Sequence, residues 1–289
     1  MSRYSRWLLL GCLAATALGL FMFFWPVQTT RSRVLVVGCL IFGAIGWPLV
    51  MWRRRGIRRA MLALEVIVLV LFFGLPNRPT GRTAALRESY QSQLQRYMGL
   101  DYVWGGETEF GVDCSGLVRR AMIRACWSEG LRRMDGGLLR MATDLWLHDC
   151  SANAIGDGYR GLTQPVTQSS SLNAADATQF QPGDMAVVAD GLHIMVYLGD
   201  NSWIEADPIA MKVVKETTPS RSPWFQTHVK VVRWTMLGNL LLSPIHREVT
   251  ALLTHDLEFI LLRLKRFQRL NLRLKGLVGE CGQHRVLPF

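Results

Sequence analysis

Apolar residues crowd into the first 76 positions and are sparse in the stretch that follows. Three runs stand out: Trp7–Trp25, Val34–Trp52 and Ala60–Leu75. The first two hold 19 residues each without a charge, enough to cross a hydrocarbon core of about 30 Å at about 1.5 Å per residue. The third has 16 residues and contains Glu65, so it spans about 24 Å and needs snorkelling flanks to reach both interfaces. It reads as a third transmembrane helix, with a re-entrant or interfacial helix as the alternative. After Pro76 the pattern changes. "NRPTGRT" is a polar connector, and Leu86, Tyr90, Leu94 and Tyr97 then recur at helical spacing before a Gly stop. A second helix is predicted after Cys114, where Leu117, Ala121 and Ala125 return every four residues.

From Glu129 to Phe180 the chain reads as a long loop or insertion, rich in Gly, Ser, Asn and Asp, with one short helix at "GLLRMATDLWL". The runs "MAVVA", "HIMVYLG", "SWIEA", "AMKVV" and "HVKVVRW" follow, punctuated by "PGD", "DG", "GDN" and "DP". They predict an antiparallel meander, and with the preceding helices an α+β domain over residues 83–236. Beyond it, Leu253, Leu257, Ile260, Leu264 and Phe267 form the apolar stripe of a helix within Leu240–Leu277. Its other faces carry Arg263, Lys265, Arg266, Arg269, Arg273 and Lys275, so residues 237–289 form a basic amphipathic extension suited to anionic lipid or to packing on the domain.

Charge adds an orientation. Arg53, Arg54, Arg55, Arg58 and Arg59 lie between the second and third runs, against Arg31 and Arg33 between the first and second. The positive-inside rule puts the five-arginine loop and the N-terminus in the cytoplasm and everything after Pro76 outside it. The net charge of +11 resides largely in these flanks and in the C-terminal segment, which points to lipid rather than nucleic acid. "LLLGC" has too short an apolar stretch before Cys12 for a lipoprotein signal, so Cys12 reads as a membrane-helix residue. The six cysteines have no CxxC spacing, which argues against structural zinc and a disulfide framework. Cys126 and Cys150 are the one pair considered for a bridge, and buried free thiols are the default. No metal or cofactor is expected.

Chemistry concentrates in "YVWGGETEFGVDCSGLV", residues 102–118. A cysteine at the first turn of a helix meets unpaired backbone N–H groups and the positive end of the macrodipole, which favour a thiolate. His193 can serve as its proton acceptor, and Glu205, twelve residues on across the turn Gly199-Asp200-Asn201, returns beside it on the next strand. Gly105 and Gly106 suit close backbone approach to substrate, Trp104 a cleft wall, and Asp113 and Ser115 a helix cap or cleft border. Asp184 sits in a turn, and His148, His228, His246, His255 and His284 are left unassigned.

These three blocks, "YVWGGETEFGVDCSGLV", "QPGDMAVV" and "HIMVYLGDNSWIEA", resemble in order those of the NlpC family of papain-like cell-wall peptidases, over Thr83 to Trp234. The resemblance implies Cys114 as nucleophile, His193 as general base, and Tyr102 with its hydroxyl near the developing oxyanion. Glu205 stands where the family more usually has His, Asn or Gln. The 79 residues from Cys114 to His193 exceed the usual spacing, the surplus falling at 129–180. The implied activity is hydrolysis of peptidoglycan stem peptides, typically at the γ-D-glutamyl–diamino-acid bond. The apolar runs and the arginine count, to which the resemblance adds nothing, set the expected location at the bacterial inner membrane, crossed several times, with the N-terminus cytoplasmic and the catalytic domain on the periplasmic or wall side. An amidase or acyltransferase of the same superfamily acting on lipid or another acyl substrate, and a non-catalytic membrane scaffold, are the competing readings.

Overall fold

The computed structural model of the protein describes residues 3–78, 80–188 and 190–238. The chain divides into Met1–Gly238 and Asn239–Phe289, and the basic helix expected in the second part lies outside the described residues.

The chain opens with α1 (Arg3–Phe24) and α2 (Thr30–Val50), both long and apolar enough to cross a membrane, followed by α3 (Arg55–Gly74). Thr29 starts α2 with a capping box, its hydroxyl accepting from the Ser32 N–H and the Ser32 side chain accepting from the Thr29 N–H. The two helices form an antiparallel hairpin that small residues bring close. A Cβ on Gly19 would lie 3.0 Å from Cys39, and one on Gly46 would press on the Cys12 sulfur. α3 has no buried residue.

The domain begins with α4 (Arg82–Gln95), whose Leu86, Tyr90 and Leu94 are fully buried. A two-stranded hairpin, β1 (Glu107–Thr108) and β2 (Gly111–Val112), precedes α5 (Cys114–Arg133), α6 (Gly136–Leu147) and α7 (Ala152–Gly156). Then come β3 (Thr163–Ser169), β4 (Met185–Val188), β5 (Ile194–Gly199), β6 (Ser202–Asp207), β7 (Lys212–Thr217) and β8 (Val229–Trp234). The six pair antiparallel in the order β3-β8-β4-β5-β6-β7.

Period-two alternation gives the sheet two buried faces. Met185, Val187, Ile194, Val196, Ile204 and Ala206 pack with the helices, on Leu86, Tyr90, Leu117, Ala121 and Met122. Ala186, Val188, Met195, Tyr197, Trp203 and Val231 pack on Leu172, Phe180 and Phe225 from the irregular stretches. Covered on both sides, the central strands read as unbroken apolar runs.

Two expectations need correction. Residues 129–180 are not a long loop: α5 continues to Arg133 and ends on Met134 at φ 51°, Asp135 then caps α6, Ser151 caps α7, and β3 joins the sheet. The strands are not one meander either. β4 to β7 follow in sequence, but β8 crosses back to pair with β4 and carries β3 on its far side. Cys126 and Cys150 are both free and buried, as the default reading had it.

Asp113 caps α5, its Oδ1 accepting from the Gly116 N–H at 2.6 Å. At Gly116 an added Cβ would overlap the Gly106 carbonyl oxygen, a backbone atom with no rotamer to yield. Gly116→Ala is therefore expected to destabilise the protein by about 3 kcal/mol or more. Thermal unfolding in detergent measures it, and an unshifted Tm would show that the 105–107 loop can withdraw.

Candidate active site

The first residues of α5 form the floor of a cleft of about 250 Å³. Its walls include Tyr102, Trp104, Gly105, Gly106, Asp113, Cys114, Ser115, Asp149, Ser151 and Leu192. All seven of the residues singled out in the 102–115 stretch thus border one cavity. Trp104 is 79% exposed at the mouth, whereas Tyr102 and Cys114 are buried.

Gly105 and Gly106 allow the close turn that brings this loop over the helix start. Gly105 has φ +70°, and a Cβ on Gly106 would lie 2.6 Å from the Gly111 carbonyl oxygen. Asp113 fastens the two together. Its Oδ1 also accepts from the Ser115 hydroxyl at 3.0 Å, and its Oδ2 accepts from the Gly105 N–H at 2.9 Å. Both oxygens are engaged within the protein, so Asp113 and Ser115 shape the cleft through each other. Asp184 is likewise structural, gripped by Arg233 at 2.6 and 2.7 Å.

The Cys114 sulfur meets the backbone N–H groups of Ser115 and Ile194, which favour a thiolate. Burial outweighs them: with Asp113 adding to it, the thiol is pushed up to about 12. A helix N-terminus alone does not activate this cysteine. Burial also raises the Tyr102 phenol, and the carboxylates nearby act in the same direction, so the hydroxyl stays protonated and able to donate.

His193, the neighbour of Ile194, is 1% exposed. The β5–β6 hairpin returns Glu205 beside it, with Nε2 and Oε2 2.5 Å apart. Burial raises the Glu205 carboxyl, against the hydrogen bond to and charge of His193, which lower it. Among the described residues no hydrogen bond joins Cys114 to His193. The two elements meet instead where the Ile194 N–H faces the sulfur.

Sequence reasoning missed three contributors. Trp224 stacks on the His193 ring at 4.4 Å between centroids and 22° between planes, and its Nε1–H donates to Asp207 at 3.1 Å. Nothing in "SPWF" signals this, because the contact joins segments about thirty residues apart. Gln28, in the loop between α1 and α2, lines the same cleft. Glu107 lies behind the glycines, 4% exposed, accepting from Arg33 at 2.6 Å and Arg119 at 2.7 Å. Its one sequence signal is an acidic residue inside a glycine- and aromatic-rich block.

The model of the NlpC/P60 family matches residues 99–233. Among solved structures, the chain is similar to the peptidoglycan hydrolase RipB from Mycobacterium tuberculosis, at 21% identity and a TM-score of 0.35, covering 53% of this chain and 67% of that one. An NlpC/P60 family protein from Bacillus cereus gives 18% and 0.34, with 51% of this chain and 40% of that one covered. NlpC2 from Trichomonas vaginalis gives 20% and 0.35, with 53% and 48% covered. The chain thus spans less than half the length of the last two. No curated protein matches it.

A thiol held near 12 is almost wholly protonated at neutral pH, and its thiolate fraction grows as pH rises. With the imidazole removed, in His193→Ala, alkylation of Cys114 by iodoacetamide is expected to climb about tenfold per pH unit through the alkaline range. Wild type should keep reacting near neutral pH. A His193→Ala profile levelling off below about pH 8.5, the free-cysteine value, would refute the dominance of burial.

Proposed function

Since residues 99–233 belong to the NlpC/P60 family of cysteine peptidases and peptidoglycan hydrolases, we propose that this chain is a membrane-anchored peptidase. It cuts amide bonds of peptidoglycan stem peptides, typically γ-D-glutamyl–diamino-acid, through an acyl-thioester on Cys114. The observation that carries this is the His193–Glu205 pair at 2.5 Å, set beside a cysteine at the first residue of α5.

Glu205 engages Nε2, which leaves Nδ1 as the imidazole nitrogen available to the thiol. In the reaction Nδ1 takes the Sγ–H proton as sulfur bonds to the scissile carbonyl carbon. The carbonyl oxygen becomes an oxyanion, and the Tyr102 hydroxyl donates to it. Collapse expels the amine, which leaves with the proton held on Nδ1. Water then adds to the thioester, delivering a proton to the same imidazole, and the Cys114 sulfur departs, recovering that proton from Nδ1 as the carboxylic product forms. A carboxylate at position 205 stabilises the imidazolium more strongly than an amide would. Trp224 holds the ring in plane and shields the pair from solvent.

The membrane assignment rests on more than length. Large apolar side chains of all three N-terminal helices face outward, among them Phe21 at 55%, Ile41 at 56% and Val70 at 62% exposure. Such a belt is stable in lipid and costly in water. The ends that meet the domain also agree. The α1–α2 loop touches it through Val27 and Gly106, and the end of α3 through Arg140, which donates to the carbonyls of Phe72 and Leu75. The five arginines, Arg53 and Arg54 in the turn and Arg55, Arg58 and Arg59 at the start of α3, are at the opposite end of α2 and α3 from the domain. Three crossings with that loop in the cytoplasm therefore leave the cleft on the wall side.

Purified sacculi digested with the full-length protein in detergent are expected to release stem-peptide fragments ending at γ-D-glutamyl, identified by mass spectrometry. Cys114→Ala should lower the rate by a factor on the order of 10³ or more. Equal release by the variant would overturn the assignment of Cys114.

A further inference from the structure

The loop between α1 and α2 is built into the cleft as one of its walls. Residues 26–28 run antiparallel to residues 105–107, the Glu107 N–H donating to the Pro26 carbonyl at 3.1 Å and the Gln28 N–H to the Gly105 carbonyl at 3.0 Å. Just inside α2, Arg33 is fully buried and bonds the same Glu107 oxygen that Arg119 of α5 holds. Backbone pairing and a buried ion cluster together fix this loop against the nucleophile helix.

Gln28 is the polar side chain that this loop brings to the cleft, and it is 5% exposed. Its Nε2 donates to the carbonyls of Trp25 at 2.6 Å and Met22 at 3.0 Å. Both amide hydrogens are thereby engaged, and two carbonyl acceptors fix which end of the amide is nitrogen. The carbonyl oxygen Oε1 is buried and has no partner among the described residues. A buried acceptor without a protein donor is costly, so it calls for a donor from outside the chain, an ordered water or a group on a ligand.

We infer that Gln28 is a substrate-binding residue, its Oε1 accepting a hydrogen bond from an N–H of the peptide that occupies the cleft. This rests on the peptidase reading above. Donor-bearing groups of a peptide, an amide N–H or an ammonium, complete the pairing, whereas a carboxylate or a carbonyl in that position meets a second acceptor and is disfavoured. The residue in question belongs to the membrane hairpin, so the hairpin takes part in selecting substrate as well as in anchoring the chain.

Two substitutions separate substrate recognition from loop bracing. Gln28→Lys keeps N–H donors for the Trp25 and Met22 carbonyls and removes the acceptor. Gln28→Glu keeps an acceptor and removes the donors. Steady-state hydrolysis of soluble stem peptides by the full-length protein in detergent gives KM and kcat for each, with thermal unfolding recorded alongside. The expected result is a KM for Gln28→Lys about tenfold above that of Gln28→Glu, the effect falling on KM rather than kcat. Equal KM values, or the reverse order, would mean that Gln28 only braces its loop and would overturn the inference while leaving the peptidase reading in place. Absence of Cys114-dependent hydrolysis in wild type would remove the peptidase reading, and this inference with it.

Discussion

Glu107 accepts two guanidinium hydrogen bonds on one buried oxygen, from Arg33 at 2.6 Å and from Arg119 at 2.7 Å. Those three side chains come from the α1–α2 hairpin, the glycine loop and the nucleophile helix, and all are at most 4% exposed. Burial pushes the carboxyl up, and the two cations pull it back toward ionisation. The cluster does not exist to add stability, since burying three charges costs nearly as much as their attraction returns. Its effect is directional. A buried guanidinium deprived of its carboxylate costs about 3–5 kcal/mol, so any arrangement that separates hairpin, loop and helix is penalised by that order. Arg119 extends the constraint to the far wall, holding Asp149 and the carbonyls of Leu145 and His148.

Within this frame the chemistry is set by burial more than by the helix terminus. The cysteine sits where backbone N–H groups converge, yet removal from water dominates and keeps the resting thiol protonated. A reactive thiolate must then arise by proton transfer to a group that is itself shielded. His193 is such a group, at 1% exposure, stacked by Trp224 and held at Nε2 by Glu205. Under the proposed mechanism the thiol proton moves only when sulfur bonds to carbon, so the nucleophile is quiet toward solvent and active toward a seated substrate.

Much of this was legible in the sequence because it is local or periodic. The apolar runs coincide with helices, five strands fall where β-rich runs and turn pairs put them, and the twelve-residue offset from His193 to Glu205 closes through the β5–β6 turn. What sequence could not give depends on distant partners. β3, "TQPVTQS", is a half-exposed edge strand carrying a proline, so it lacks the continuous burial that marks β4 to β6. The Gly, Ser, Asn and Asp residues of 129–180 look like loop composition, yet Asp135 and Ser151 are helix caps and the segment holds two helices besides the end of α5. Arg33 reads as a flanking charge at a membrane end; its burial against a residue 74 positions away has no local signature.

The α1–α2 hairpin meets the domain around its loop, through residues 26–28, Arg33 on Glu107 and Phe23 beside Trp146, and the end of α3 meets it separately, so under the proposed topology the anchor is more than a tether. Between Leu75 and Arg78 the connector is pinned to the start of α6, the Gly136 N–H donating to the Pro76 carbonyl and the Arg78 N–H to Asp135. The other attachment centres on the pairing of residues 26–28 with 105–107 and the Arg33–Glu107 bond beside it. A single linkage would let the domain swivel, whereas two separated linkages fix its rotation as well as its height. Helices of 22, 21 and 20 residues are each about 30–33 Å long at about 1.5 Å per residue, so under the proposed topology the cleft is held within a few ångströms of the bilayer surface. Under the proposed function a stem peptide reaching Cys114 passes the α1–α2 loop, the part of the N-terminal helices that the Arg33–Glu107 pair holds against the cleft.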